Sequence, residues 1–401
     1  MRDLRHYHIC YFLWLPALLL CTTGVLAIYS ASSGYQSDFV SRQLMWLVMG
    51  LALAVAVSLV PYLFFHHYAT IIYGFSLLSL LLVLIVGQER NGAKAWLGFG
   101  SLGIQPSEFC KIAVIFLFGR YFADFEEHRY SWKYYLMSFG ILAIPMALIL
   151  LQPDLGTMLT FFPVVVAMFL VTGTKLSLLF TTFLGVVASF PPVWTFLLKT
   201  HHKQRFLLTW QPERDPWGYG YQALMSKLTL GSGMIFGRGY GESRMSKLNF
   251  LPERHTDFIF SVFGEEWGFV GAILLLCLYF FLILAALRIA RSARDLFGVT
   301  VSTGIAVLIA THVIMNVGMC TGMMPVIGVP LPLFSYGGSS LLCTMIALGV
   351  LQSIYDDAMN KGAYSGAFIF LSRERYLVYL TSVIWKVTEP SAFFWKPALT
   401  F

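Results

Sequence analysis

The chain has 401 residues, of which 58% are hydrophobic and 12% charged, and its formal net charge is +7. A soluble domain carries about 25% charged residues, so the composition excludes a soluble globular fold and points to an all-α polytopic membrane protein. The positive balance calls for no nucleic-acid partner, because basic loops on the cytoplasmic side of a membrane account for it.

Apolar runs separated by polar breaks predict ten spans, at about 9–30, 43–60, 69–87, 106–122, 134–151, 156–172, 177–198, 257–287, 298–320 and 338–355. The first run follows Arg2 and Arg5. At about 20 residues it is longer than a signal core of about 7–15 and reads as an uncleaved helix. No internal repeat is visible, which argues against an inverted-repeat transporter. Residues 1–356 therefore read as one membrane domain and 357–401 as a tail, in which 376–385 suits an interfacial helix. The six cysteines fall in or beside apolar runs with no CxxC among them, a pattern that fits neither a disulfide framework nor a zinc site.

Lys and Arg of the short loops fix the expected orientation. One side gathers Arg2, Arg5, Arg120, Arg129, Lys133, Lys175, Arg288, Arg291 and Arg294, and the other only Arg42, Arg90 and Lys94. Both termini are expected to be cytoplasmic and the long 199–256 loop external. That loop holds nine cations against four acids, leaving +5. Such a field suits an anionic partner, phosphate above all, and equally a basic loop resting on anionic lipid headgroups. The glycines between Gly231 and Gly241 read as turn residues, with an anion nest as the weaker alternative.

Polar residues at the membrane boundary carry the chemistry, because charge there is costly and usually functional. The densest group is Glu253, Arg254, His255, Asp257, Glu265 and Glu266. Pro252 suits the first turn of a helix, which would place Glu253 and Asp257 on one face. Glu265 would lie about 12 Å farther along that helix, too far for a two-carboxylate pair of about 5–9.5 Å. Asp257, with Glu253 beside it, is thus the expected chemical centre. Glu108 and Lys111 open the fourth span three residues apart. Mutual neutralisation and substrate binding both fit them. Asp154 reads better as a helix N-terminal acid than as a site residue. The segment from Gly322 to Ser340 is apolar but rich in Pro and Gly, and reads as a re-entrant loop walling a cavity.

Five stretches resemble one known family, the SEDS proteins (shape, elongation, division and sporulation). They are Gly24–Ser32, Gln105–Glu108, Gln152–Thr157, Leu251–Phe260 and Pro332–Ser340, in the family's order, and the likeness covers roughly 10–355. Arg254 and the Gly328–Pro332 run look like the elongation branch rather than the division branch. The resemblance implies a lipid II polymerase of the bacterial cytoplasmic (inner) membrane. Such a protein works with a class B penicillin-binding protein transpeptidase in the elongation machinery, and the family's essential acid falls on Asp257. Asp257 then serves as a base or as the ligand of a divalent cation (Mg or Mn). Lys111, Arg205 and Arg254 are candidates for the substrate diphosphate, with Glu108 and Glu253 also lining the substrate. A lipid II flippase is the alternative, and a non-catalytic scaffold a third reading. One departure stands out: where the family usually has Arg directly before a Trp, this chain has Ala95-Trp96, with Lys94 one place earlier.

Overall fold

The computed structural model describes residues 7–32, 38–90, 93–99, 102–128, 131–174, 200–209, 211–218, 220–248 and 250–360, with isolated positions between 175 and 199. The expected seventh span (177–198) and the tail beyond 360 lie outside the described residues. Among those described, seven helices are long and apolar enough to cross a membrane. They are α1 (Tyr11–Ser32), α2 (Phe39–Leu59), α3 (Tyr62–Val86), α5 (Trp132–Leu151), α9 (Ile259–Ser292), α10 (Leu296–Cys320) and α11 (Gly338–Asn360). Two more helices match expected spans. Charge at Glu108, Lys111, Arg120 and Asp124 lowers the hydropathy of α4 (Pro106–Asp124), and α6 (Leu155–Val171) is a shorter apolar helix. The large polar loop holds α7 (Thr200–Leu207) and α8 (Tyr221–Ser232).

The chain is not helical throughout. Between α3 and α4 it forms a three-stranded antiparallel meander of β1 (Gln88–Arg90), β2 (Ala93–Phe99) and β3 (Leu102–Ile104). Leu97 faces Ile104 in its register. These strands are too short for a period-2 pattern to stand out beside the long apolar runs. Lys94, from β2, donates to the carbonyls of Leu84 (2.9 Å) and Ile85 (3.1 Å), the last turn of α3. That is the favourable end of the helix dipole for a cation.

Helices α10 and α11 form the centre of the bundle, and most of their apolar length is buried, whereas α2 turns most of its surface outward. The last helix runs five residues past its expected end at 355. Asp356 and Asp357 remain inside it because both have partners. Asp356 accepts from the His8 N–H (2.9 Å), and Asp357 lies 3.6 Å from Arg294.

Residues 322–337 are non-helical yet largely enclosed, exposed Met323 and Gly328 apart, with Leu331, Leu333 and Phe334 almost wholly buried. Irregular backbone at membrane depth requires protein partners for its polar groups, and the bundle supplies them. Tyr279 Oη donates to Pro332 O (2.7 Å), and the Leu331 N–H donates to Ser335 Oγ (2.9 Å). Gln43, buried on α2, donates to Ser335 O and accepts from the Gly337 N–H. Two helices approach this loop through glycine. A Cβ on Gly24 of α1 would stand 2.7 Å from Phe334 O, and one on Gly156 of α6 only 2.4 Å from Ile327 O.

Helix α9 is broken at Gly268 (φ 67°, ψ −166°). The loop after α8 caps both halves at once. The Arg238 and Gly239 N–H groups donate to the carbonyls of Glu265 and Glu266, each at 3.0 Å. The Met234 and Ile235 carbonyls accept from the Phe269 and Val270 N–H groups. The orphan groups of two helix ends are thus satisfied by one strand of chain. Gly237 (φ 81°) permits the contact, since a Cβ there would lie 2.1 Å from Glu266 O. The turn reading of these glycines describes Gly237, Gly239 and Gly241, all at positive φ.

Gly156→Val should force α6 away from the loop backbone at Ile327. Overpacking of this kind costs about 1–3 kcal/mol, so the purified variant should melt several degrees below the parent. An unchanged melting midpoint would remove the close approach as a constraint.

Candidate functional site

Asp257 lies in a run of turns, not in a helix. The expected helix from Pro252 does not form, because α9 begins only at Ile259 and Glu253 sits at φ 50°. The Glu253 carbonyl instead gathers the N–H groups of Thr256, Asp257 and Phe258 at 3.1–3.2 Å. The Glu253 carboxylate accepts from Thr256 Oγ1 (3.0 Å). Glu253 and Asp257 are therefore joined through one tight turn rather than by sharing a helical face.

Three other elements hold that turn. Asn316, wholly buried on α10, donates from Nδ2 to the carbonyls of Asp257 and Val329, both at 2.8 Å. Cys320, one turn along α10, places its Sγ 3.7 Å from the same Asp257 oxygen. The Tyr336 N–H donates to His255 O (2.9 Å), and the rings of Phe39, His255 and Tyr336 pack together, with Phe39 and His255 4.3 Å apart. Burial, with Arg254 nearby, lowers the His255 pKa below its ordinary value despite the opposing pull of Glu253, so this ring packs as neutral imidazole. The Asp257 carboxylate is left half-buried at the lip of the 322–337 loop. Its Oδ2 stands 3.3 Å from where a Cβ on Gly328 would be. Glycine at φ 69° leaves that space open.

The remaining sequence candidates separate into other settings. Lys111 Nζ sits 2.7 Å from Glu108 Oε1 and 2.8 Å from His312 Nε2, and all three residues are buried. This trio ties α4 to α10 inside the bundle, and two of its members, Glu108 and His312, border a small cavity with Pro332 and Thr344. Arg254 is 1% exposed. Arg205 belongs to α7, and its side chain lies outside the described residues. Asp154 caps α6, accepting from the Thr157 N–H (3.0 Å), Thr157 Oγ1 (2.8 Å) and Gln105 Nε2 (3.0 Å). Glu265 and Glu266 anchor the loop at the break of α9. Glu265 accepts from Ser243 Oγ (2.5 Å) and lies 3.6 Å from Arg238 Nε. Glu266 accepts from Ser30 of α1 and from the Gly241 and Ser243 N–H groups.

Sequence reasoning missed His312 and Asn316. They lie four residues apart and so share one face of an otherwise apolar span, a pattern that was readable as an intramembrane polar stripe. As to metal, no group of three or more His, Cys, Asp or Glu among the described residues stands ready to hold an ion. A protein-built cage does not fit. A single carboxylate completed by substrate phosphates, a common arrangement for Mg²⁺, does fit Asp257.

A half-buried carboxylate beside a broken-backbone loop, within a bundle of long apolar helices, defines a multi-pass membrane protein. The chain belongs to the FtsW/RodA/SpoVE family, described as Cell cycle protein, which it matches over residues 10–360. It is 36% identical to the peptidoglycan glycosyltransferase MrdB of Escherichia coli K12, over 85% of this chain and 93% of that one. It is 33% identical to the peptidoglycan glycosyltransferase RodA of Treponema pallidum, over 86% and 96%. Among solved structures it resembles a chain of a peptidoglycan synthase complex that coordinates polymerization and crosslinking (TM-score 0.73, 32% identity, 86% of this chain and 98% of that one). It also resembles the rod shape determining protein RodA of Thermus thermophilus (TM-score 0.64, 31% identity, 87% and 97%).

Asn316→Leu should strip hydrogen bonds from two buried carbonyls. An unsatisfied buried acceptor costs about 1–3 kcal/mol, so the variant should melt clearly below the parent. Equal stability would show that Asn316 does not join the Asp257 turn to the loop.

Proposed function

We propose that this protein is a peptidoglycan glycosyltransferase that polymerises lipid II into glycan strands during cell elongation. The observation that carries the reading is the placement of Asp257, a half-buried carboxylate fixed through its own carbonyl by Asn316. A +5 loop leads into it from the N-terminal side. Lipid II is membrane-borne and anionic, which matches both features. The acceptor sugar hydroxyl attacks the donor's anomeric carbon, forming a new C–O bond as the bond to the diphosphate breaks. The bonding electrons leave with undecaprenyl diphosphate, and Asp257 takes the hydroxyl proton. In the alternative role, Asp257 would hold a divalent cation (Mg or Mn) that would supply charge for the leaving group. The phosphate is already an activated leaving group, so one protein acid suffices. Glu253 positions the turn, while Glu108 and Lys111 set the α4 wall with His312. Arg254 and Arg205 add positive field.

The reading also includes a single-span class B penicillin-binding protein transpeptidase as partner. The relative solved within a synthase complex supports that choice. The protein sits in the bacterial cytoplasmic membrane with both termini inside and residues 199–256 outside. In a Cys277→Ser background, a cysteine at exposed Glu242 should react with an impermeant maleimide on intact spheroplasts, and one at exposed Arg291 should not. Labelling of both, or the reverse pattern, would refute this orientation.

Asp257→Asn keeps the size of the side chain and removes its basicity. Polymerisation of lipid II should fall by about 10²–10⁴ in protein that elutes and melts like the parent. Asp154→Asn should be milder, as capping contributes about 1 kcal/mol. Near-normal glycan synthesis by the Asp257 variant would overturn the catalytic role. Lipid flipping without polymerisation by the parent would favour a flippase.

A further inference from the structure

Of the cations that sequence reading put forward for the substrate diphosphate, two are committed or enclosed. Lys111 is held between Glu108 and His312, and Arg254 is 1% exposed. A different cation lies across the turn that follows α10. Lys227 of α8 is half-buried, and it forms no ion pair among the described residues. An unpaired, partly desolvated ammonium is an expense that a fold rarely keeps without use.

Its position is fixed by the residue before it and by a glycine opposite. Ser226 Oγ lies 2.7 Å from Ser261 Oγ on α9 and donates to Cys320 O (3.0 Å) on α10. This pins α8 onto the end of α10 where Cys320 Sγ reaches the Asp257 carbonyl. The Lys227 side chain then crosses Gly322, two residues farther on. A Cβ on Gly322 would fall within 1.7 Å of Lys227 Cε and 2.6 Å of its Nζ. Gly322, at φ 72°, is the notch through which this lysine lies. Lys227 thus reaches Gly322 with its side chain, while the Asp257 main chain meets Cys320 two residues earlier and the Asp257 carboxylate faces Gly328.

We infer that Lys227, laid across Gly322, binds the diphosphate of the polyprenyl-linked substrate, while Asp257, with its carboxylate at Gly328, handles the sugar hydroxyl. This inference deepens the lipid II polymerase reading and depends on it for the identity of the lipid. The separation suits the chemistry, since the base and the leaving-group cation act on opposite sides of the anomeric carbon and must not neutralise each other.

The test is amine footprinting of the purified, full-length parent with an acylating reagent, read by mass spectrometry at Lys227. Undecaprenyl diphosphate should protect Lys227 at least fivefold. Undecaprenol and an equal concentration of inorganic pyrophosphate should not. Protection by no ligand overturns the inference, and equal protection by inorganic pyrophosphate overturns the lipid assignment. In parallel, Lys227→Met should bind undecaprenyl diphosphate at least tenfold more weakly than the parent, while Lys227→Arg, which keeps the charge, should bind within about threefold. Parent-like binding by Lys227→Met overturns the inference even where the parent polymerises lipid II. A parent that binds the diphosphate through Lys227 but makes no glycan would overturn the polymerase reading alone.

Discussion

A peptide group that leaves its helix inside a membrane must find a protein partner, because no water is there to accept it. The 322–337 loop puts a run of such groups into the middle of the bundle. Much of what is specific about this chain is the set of side chains that answer them. Gln43 on α2, Tyr279 on α9, Ser335 within the loop and Asn316 on α10 each take one or two backbone groups. Glycines at 24 and 156 let α1 and α6 come close enough to shut out lipid. Asn316 matters most, because its second hydrogen bond goes to the Asp257 carbonyl. The requirement that keeps the loop folded also fixes the carboxylate above it.

The two polar centres differ in what their surroundings allow. Glu108, Lys111 and His312 are packed against one another away from the surface. Removing one partner of a buried ion pair costs about 3–5 kcal/mol, whereas the intact pair roughly breaks even against apolar side chains. Such a trio specifies how α4 meets α10 more than it adds stability. Asp257 is only half-buried and opens on space left by Gly328. A carboxylate there stands where a substrate can reach it.

The helices were legible because lipid-facing and core-facing surfaces are both apolar, so a run of sufficient length declares itself. Starts and ends came within a few residues for α1, α4, α5, α6 and α10. The end of α11 did not: the expected span stops at 355, and the helix continues through Asp356 and Asp357, which are held by His8 and Arg294. Asp257 stood out as an acid at the mouth of a span. Its geometry did not, because Pro252 suggested a helix where the chain makes turns around the Glu253 carbonyl. The β-meander was hidden by the brevity of its strands. Partnerships across the fold, such as His312 with Lys111 or Ser30 with Glu266, join residues 201 and 236 positions apart. No local pattern encodes a meeting of that kind.

The break at Gly268 also bears on how the protein is made. Beyond it, α9 runs from Phe269 to Ser292, and at about 1.5 Å per residue that is enough to cross a hydrocarbon core of about 30 Å unaided. The stretch before it, carrying Glu265 and Glu266, is packed inside the protein and has no place in lipid. Its open carbonyls, and the first N–H groups of the spanning half, are both met by residues 234–239. Those residues are translated earlier, so the partners of both helix ends are already part of the chain when the broken helix is made, and no later sequence is needed to complete the cap.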